Sequence, residues 1–160
     1  MREILEILEK DARATPKEIA RMLDMSEEDV RRKIDELEKS KTIVKYKTVI
    51  NWERAGEERA AALIEVKVAP QRDVGFDSIA ERIYRFPEAR TVYLVSGTYD
   101  LQVEVVGKTM RDISRFVTEK LAPLEGVQGT VTHFLLKRYK EDGDILEVDE
   151  QEVKRLPLSL

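Results

Sequence analysis

The sequence predicts an α+β chain in two parts: a three-helix unit, then a sheet unit with the element order βαββαβ. Three observations carry this. Apolar residues over the first 39 positions recur at helical spacing, interrupted by two strong helix starts. After Lys41 the texture turns β-branched and aromatic. From residue 59 to 139, strand-like runs alternate with two amphipathic helical runs that end at prolines.

Residues 2–13 form the first predicted helix, with Ile4, Leu5, Ile7, Leu8 and Ala12 at helical spacing. Thr15-Pro16-Lys17-Glu18 starts the second: Thr15 can cap, Pro16 suits the first helical position, and Glu18 can close a capping box. Ile19, Ala20, Met22 and Leu23 supply its apolar face. After Asp24-Met25, Ser26 with Glu27, Glu28 and Asp29 starts the third helix, whose Val30, Ile34 and Leu37 stand at i, i+4, i+7. Two helices joined by about three residues make a helix-turn-helix over residues 1–41. The same pattern also suits a plain three-helix bundle with no role toward nucleic acid.

Thr42–Ile50 reads as a strand, and Asn51–Glu58 as a polar connector, so a strand linker and hinge is expected over 42–58. Ala61–Val68 is the next strand, stopped by Pro70. Phe76, Ile79, Ala80 and Ile83 mark a helix running to about Phe86, before Pro87. Thr91–Val95 and Tyr99–Val106 are strands around a Ser96-Gly97-Thr98 turn, with Leu101, Val103 and Val105 on one face. Met110, Ile113, Phe116, Val117 and Leu121 mark a second helix before Pro123, and Val127–Tyr139 is a last, long strand. The domain over 59–139 is therefore a ferredoxin-like split-βαβ unit of the dimeric α/β-barrel kind. Both helices must cross one sheet face. The other face, expected to be apolar, would meet a second copy face to face. Residues 140–160 form an acidic tail, read as an added edge strand, as a grip on a neighbouring subunit, or as a disordered, solvated terminus.

The charge count first speaks against a polyanion binder. The 160 residues carry 28 basic and 32 acidic side chains, a net charge of −4, one histidine and no cysteine. The missing cysteine excludes disulfides, thiolate zinc sites and a cysteine nucleophile, and suits a cytoplasmic protein. No apolar run approaches the roughly 18 residues of a membrane span. The net charge is uneven, however. Lys140, Lys154 and Arg155 face seven carboxylates over 139–160, whereas residues 30–47 are locally +4. The local field, not the total, decides what such a surface meets.

The order of these pieces resembles the Lrp/AsnC (feast/famine) family of transcriptional regulators. Its carriers are Ile19-Ala20 through Ser26, Val30, Ile34 and Leu37, then Ile43-Val44-Lys45-Tyr46, then Ser96-Gly97-Thr98-Tyr99-Asp100. The resemblance covers about residues 3–140. It implies a helix-turn-helix that binds double-stranded DNA at a palindromic operator as a dimer. It also implies a sheet domain that assembles dimers, and octamers as tetramers of dimers, and holds an amino acid or related effector. Carried over, Ser26–Lys39 is the recognition helix. The family usually has glycine where Asp24 and Lys41 stand here, and arginine where Lys33 stands.

On that reading Ser26, Arg31, Arg32, Lys33, Lys39, Lys41 and Lys45 are the candidate DNA contacts, because Arg and Lys reach phosphates and guanine edges. A solvated face of i,i+4 pairs, such as Arg31–Asp35, Arg32–Glu36 and Glu28–Arg32, is the alternative. Glu27, Glu28 and Asp29 suit the helix dipole and repel phosphate; a carboxylate there could also accept from cytosine N4. Gly97, Tyr99 and Asp100, with Thr130 and Thr132 on the last strand, are the effector candidates. Asp100 would pair with an ammonium, while Gly97 permits close approach and the threonine hydroxyls could hold a carboxylate. A plain β-turn is the alternative. His133 alone makes neither a protein-only zinc site nor a triad. No phosphate-loop or dinucleotide motif is present, and no cofactor or metal is expected. The competing class is a small enzyme or bare ligand-binding module whose first 40 residues serve assembly, with His133, Tyr99 and Asp100 as its candidates.

Overall fold

A computed structural model describes residues 1–69 and 75–146. The chain divides into two compact units, Met1–Ile50 and the residues from Asn51 onward.

The first unit holds α1 (Arg2–Lys10), α2 (Pro16–Leu23) and α3 (Glu27–Lys39). Its core is Ile4, Leu8, Ile19, Ala20 and Val30, with Ile34 and Ile43 packed against it. Helix α2 starts on the expected reciprocal cap: Glu18 N donates to Thr15 Oγ1 at 3.3 Å, and Thr15 N donates to Glu18 Oε2 at 2.8 Å. The αL residue Asp24 (φ 51) ends α2, and Lys41 (φ 60) turns the chain after α3. Both stand where the resembling family usually has glycine. Ile43 N then donates to Leu37 O at 3.0 Å and seats Ile43 on the core.

The strand expected over Thr42–Ile50 does not form; these residues enter no ladder. A strand exists only through cross-strand hydrogen bonds, and β-branched composition does not supply a partner. The segment leaves Val44, Tyr46 and Ile50 exposed, and Tyr46 Oη donates to Glu38 Oε1 at 2.9 Å.

The second unit holds β1 (Ala60–Val68), α4 (Asp77–Tyr84), β2 (Ala89–Leu94), β3 (Leu101–Gly107), α5 (Met110–Phe116), β4 (Val127–Phe134) and a small hairpin, β5 (Lys140–Glu141) with β6 (Asp144–Ile145). Helix α5 runs on through a π turn, Val117–Leu121. The four-stranded sheet has order β2-β3-β1-β4 with every neighbour antiparallel. This is the ferredoxin-like arrangement expected from βαββαβ. Ile64, Val66, Leu101, Val103 and Val105 form its covered face, packed with Ile79 and Ile83 of α4 and Ile113 and Phe116 of α5. Gly126 (φ +92) lets α4 approach: a Cβ there would lie 2.5 Å from Ile79 Cδ1.

Strand β4 stops at Phe134 rather than Tyr139. Its neighbour β1 begins at Ala60, and Leu135 N to Ala61 O (2.9 Å) is the last bond available to it. The start of the expected acidic tail folds as the β5–β6 hairpin around Asp142 (φ 49) and Gly143 (φ 96). Asn51 Nδ2 secures it by donating to Leu146 O at 2.8 Å. The tail from residue 147 lies outside the described residues.

Candidate functional site

Helix α3 carries the candidate DNA face. Val30 and Leu37 are buried, and Lys33 and Ile34 are half-buried beside them. The opposite stripe, at i, i+4, i+7 and i+11, is therefore Glu28, Arg32, Asp35 and Lys39, all exposed. Arg31 flanks that stripe, whereas Lys33 sits against the core side.

The start of α3 is tightly tied. Asp29 N donates to Ser26 Oγ at 3.0 Å, and Ser26 Oγ donates to Asp29 Oδ2 at 2.8 Å. Ser26 thus serves as the N-cap. The Ser26 hydroxyl, then the nearby Arg32 charge, holds the Asp29 carboxyl below its ordinary value. The arginines do not pair forward with Asp35 and Glu36. Arg31 reaches back to Glu27 at 2.6 Å, and Arg32 to Asp29 at 2.5 Å. Among the described residues Glu28 and Asp35 have no hydrogen-bond or ion-pair partner. Both carboxylates belong to the exposed stripe; the sequence marks Glu28 within its acidic triplet, and the 3.6-residue wheel is the signal that adds Asp35.

Helix α3 itself carries four basic and six acidic side chains. Most of the local +4 over residues 30–47 therefore comes from Lys41, Lys45 and Lys47 beyond it. Lys41 and Lys45 are exposed. The basic candidates thus fall into two groups: Arg31, Arg32 and Lys39 on the helix, and the lysines of the extended segment after it.

The effector candidates are less unified. The turn Ser96–Tyr99 bulges between β2 and β3, closed by Val95 N to Asp100 O at 2.9 Å. Gly97 has open space on its Cβ side, and Tyr99 is half-buried. Every polar group of Asp100 is engaged within the chain. Its N donates to Val66 O (3.1 Å), Val68 N donates to its Oδ2 (2.8 Å), and Lys67 Nζ stands 3.2 Å from that oxygen. The bond from Val68 N, with help from Lys67, holds the Asp100 carboxyl below its ordinary value. Pairing sets the faces. Thr130 lies opposite Val66, and Thr132 opposite Ile64, so both threonines lie on the helix-covered side. Asp100, adjoining Leu101 in β3, shares the other side with Lys67. The structure therefore brings Gly97, Tyr99 and Asp100 together, and places Thr130 and Thr132 on the opposite side of the sheet.

The uncovered sheet face is mixed rather than apolar. Leu63, Val106, Tyr93 and Val131 share it with Glu65, Lys67, Gln102, Glu104 and His133. His133 Nε2 sits 3.1 Å from Glu65 Oε1 across the β1–β4 pair. Glu104 is bonded by Arg138 and by Thr91 Oγ1 (3.2 Å), while Arg138 also holds Glu141 at 2.9 Å. Glu65, Lys67 and Glu104 each have a partner, so the face differs from a bare hydrophobic patch. Among the described residues no cluster of histidine and carboxylates has the makings of a metal site. No helix among them is long and apolar enough to cross a membrane.

Residues 2–38 match the AsnC-type helix-turn-helix domain, and residues 61–145 match the Lrp/AsnC ligand-binding domain. The chain is 48% identical over 158 residues to the uncharacterized HTH-type transcriptional regulator YugG of Bacillus subtilis, covering 98% of this chain and 95% of that protein. It is 30% identical over 144 residues to the HTH-type transcriptional regulator FL11 of Pyrococcus furiosus, covering 90% and 92% respectively. Its fold matches the L-Met complex of the transcriptional regulator NMB0573 of Neisseria meningitidis with a TM-score of 0.70 at 24% identity, covering 87% of this chain and 89% of that one.

Proposed function

Since the chain belongs to the Lrp/AsnC family of DNA-binding transcriptional regulators, we propose that it binds a palindromic operator as a dimer, with α3 in the major groove. The observation that carries this reading is the coincidence of the AsnC-type match over 2–38 with a helix that caps on Ser26 and turns Glu28, Arg32, Asp35 and Lys39 outward. Arg31, Arg32 and Lys39 would contact DNA from the helix. Lys41 and Lys45 would follow the phosphates, and Lys33 would support the helix flank. Two-fold related helices reading one groove face would be about 34–36 Å apart, one DNA turn.

The dimer would form through the uncovered sheet face. Leu63, Tyr93 and Val131 would supply its apolar contacts, and the polar rows around Glu65 and Glu104 would set its register. The effector would be an amino acid, as in the Neisseria relative's L-Met complex, taken up at the Gly97–Asp100 turn. With Asp100 engaged by Val68 and Lys67, the exposed backbone of Gly97 and the Tyr99 ring are its first contacts in one subunit. Thr130 and Thr132 would enter only from the far side of the sheet or through a neighbouring subunit. An effector acts here only by binding one assembly or domain spacing better than another. We place this activity in the cytoplasm, where the DNA is. The enzymatic alternative has less support, because His133 and Asp100 are both paired within the chain.

Footprinting on the DNA upstream of the protein's own gene tests the reading. Two protected half-sites about one helical turn apart are expected, and a single continuous block without two-fold symmetry would contradict it.

A further inference from the structure

The start of α3 offers three carboxylates where a groove-inserted helix reads bases, and the structure separates their roles. Asp29 holds the Ser26 cap and Arg32, and Glu27 holds Arg31. Glu28 remains: exposed, in the first turn, on the outward stripe with Arg32, and unpartnered among the described residues. Its natural i,i+4 cation, Arg32, is turned toward Asp29 instead.

We infer that Glu28 is a specificity-determining residue that reads an exocyclic amine in each operator half-site. This rests on α3 being the DNA-reading helix. An ionised carboxylate is an acceptor only. In the major groove it can accept from cytosine N4, whereas guanine O6 and N7 and thymine O4 are acceptors that it repels. Near phosphates a partnerless carboxylate weakens binding to every sequence, and an amine donor at the matching base pair offsets that loss. Glu28 therefore works by excluding: guanine and thymine leave the carboxylate facing acceptors, and of the two amine-bearing bases cytosine is favoured at one position per half-site because adenine also presents its N7 acceptor beside N6. Arg32, four residues on along the same stripe, is the complementary donor for a guanine or a phosphate nearby.

The test is selection of bound sequences from a randomised pool by the full-length protein, followed by anisotropy on the selected site and on single-position variants. The proteins are wild type, Glu28→Ala, Glu28→Gln and Glu36→Ala. Glu36 lies off the outward stripe and its side chain also has no partner among the described residues, so its removal reports the loss of one negative charge alone. Both alanine variants should bind unrelated DNA more tightly than wild type. Glu28→Ala alone should lose its preference at one symmetric position, where wild type discriminates by about tenfold. Glu28→Gln should move that preference toward adenine, since a side-chain amide pairs with adenine N6 and N7. If Glu28→Ala keeps the wild-type preference at every position, or relaxes no more than Glu36→Ala, the inference is overturned. Absence of salt-dependent binding by the wild type would instead overturn the assignment of α3 as the reading helix.

Discussion

Arg32 turns back one helical turn to Asp29, Nη2 to Oδ1 at 2.5 Å, instead of reaching Glu28 or Glu36. Both groups are largely exposed, so the pair contributes little to folding and can open when a phosphate competes. The same holds for Arg31 and Glu27. The arginines of α3 are thus held at the surface, close to the cap, and available to DNA.

Replacing Arg31 and Arg32 together with alanine should therefore leave folding intact and weaken DNA binding by roughly tenfold or more. If both contact phosphate, the slope of log affinity against log salt should fall by about 2 and all sequences should suffer alike. Relaxation at a single base position would mark the responsible arginine as a base reader. Circular dichroism checks the folding half of this expectation.

Lys41 sits at φ 60, where a side chain with a Cβ is disfavoured. Lys41→Gly should raise unfolding free energy by about 1 kcal/mol in urea titration. Asp24, at φ 51, should gain less from the same change, because a short polar side chain tolerates that conformation better. A loss of stability in Lys41→Gly would mean that the lysine side chain makes a stabilising contact that outweighs its backbone strain.

Asp100 accepts from the N–H of buried Val68 at the point where the β1–β4 register shifts. Asp100→Ala should lower the melting temperature, and Asp100→Asn, which keeps an acceptor, should lower it less. A thermal-shift panel of amino acids on the wild type and Asp100→Asn separates folding from recognition. Equal ligand shifts in the two proteins would assign Asp100 to the loop's geometry. Loss of the shift in the folded variant would return it to ligand contact.

Acid should act through the caps. Glu18 is held below its ordinary value chiefly by Thr15, Asp29 by Ser26 and Asp112 by Thr109. Asp100 is held down chiefly by Val68 N. A carboxyl with a lowered folded pKa contributes stability that is complete above its unfolded value, about 4, and disappears as pH falls through the folded value. The melting temperature should accordingly be level from pH 7 to about 5 with respect to these groups and drop below about 4. In Asp29→Asn and Asp112→Asn that acid drop should be shallower.

Val131 is 53% exposed on the uncovered face, beside the His133–Glu65 pair. If that face joins two copies, Val131→Asp should shift the sedimentation profile from dimer to monomer with unchanged secondary structure. A variant that stays dimeric would place the interface elsewhere.

Most of the fold was legible because its signals are local. The Thr15–Glu18 capping box, the Val30/Leu37 stripe and the Leu101/Val103/Val105 alternation each need only a few neighbouring residues. The misreadings share a different cause. Thr42–Ile50 has strand composition but no ladder partner, and the end of β4 is decided by where β1 begins. The open face looked apolar from spacing, whereas register brings Glu65, Gln102 and Glu104 to its centre. At the site, the basic residues were visible as types. Their partners were not, because whether Arg32 turns to Asp29, Glu28 or Glu36 depends on rotamers that spacing leaves equivalent. Thr130 and Thr132 were grouped with Asp100 by resemblance, and only the pairing register separates the sheet faces they occupy.

The central claim is that a chain with a net charge of −4 binds DNA through a local surface, Arg31, Arg32, Lys39 and the lysines that follow α3. Fluorescence anisotropy with the DNA upstream of its own gene, across a salt series, tests this most directly. The account predicts tight binding at low salt and a straight, falling line of log affinity against log salt, steep enough for several phosphate contacts. A flat line, or no binding at low salt, would contradict it.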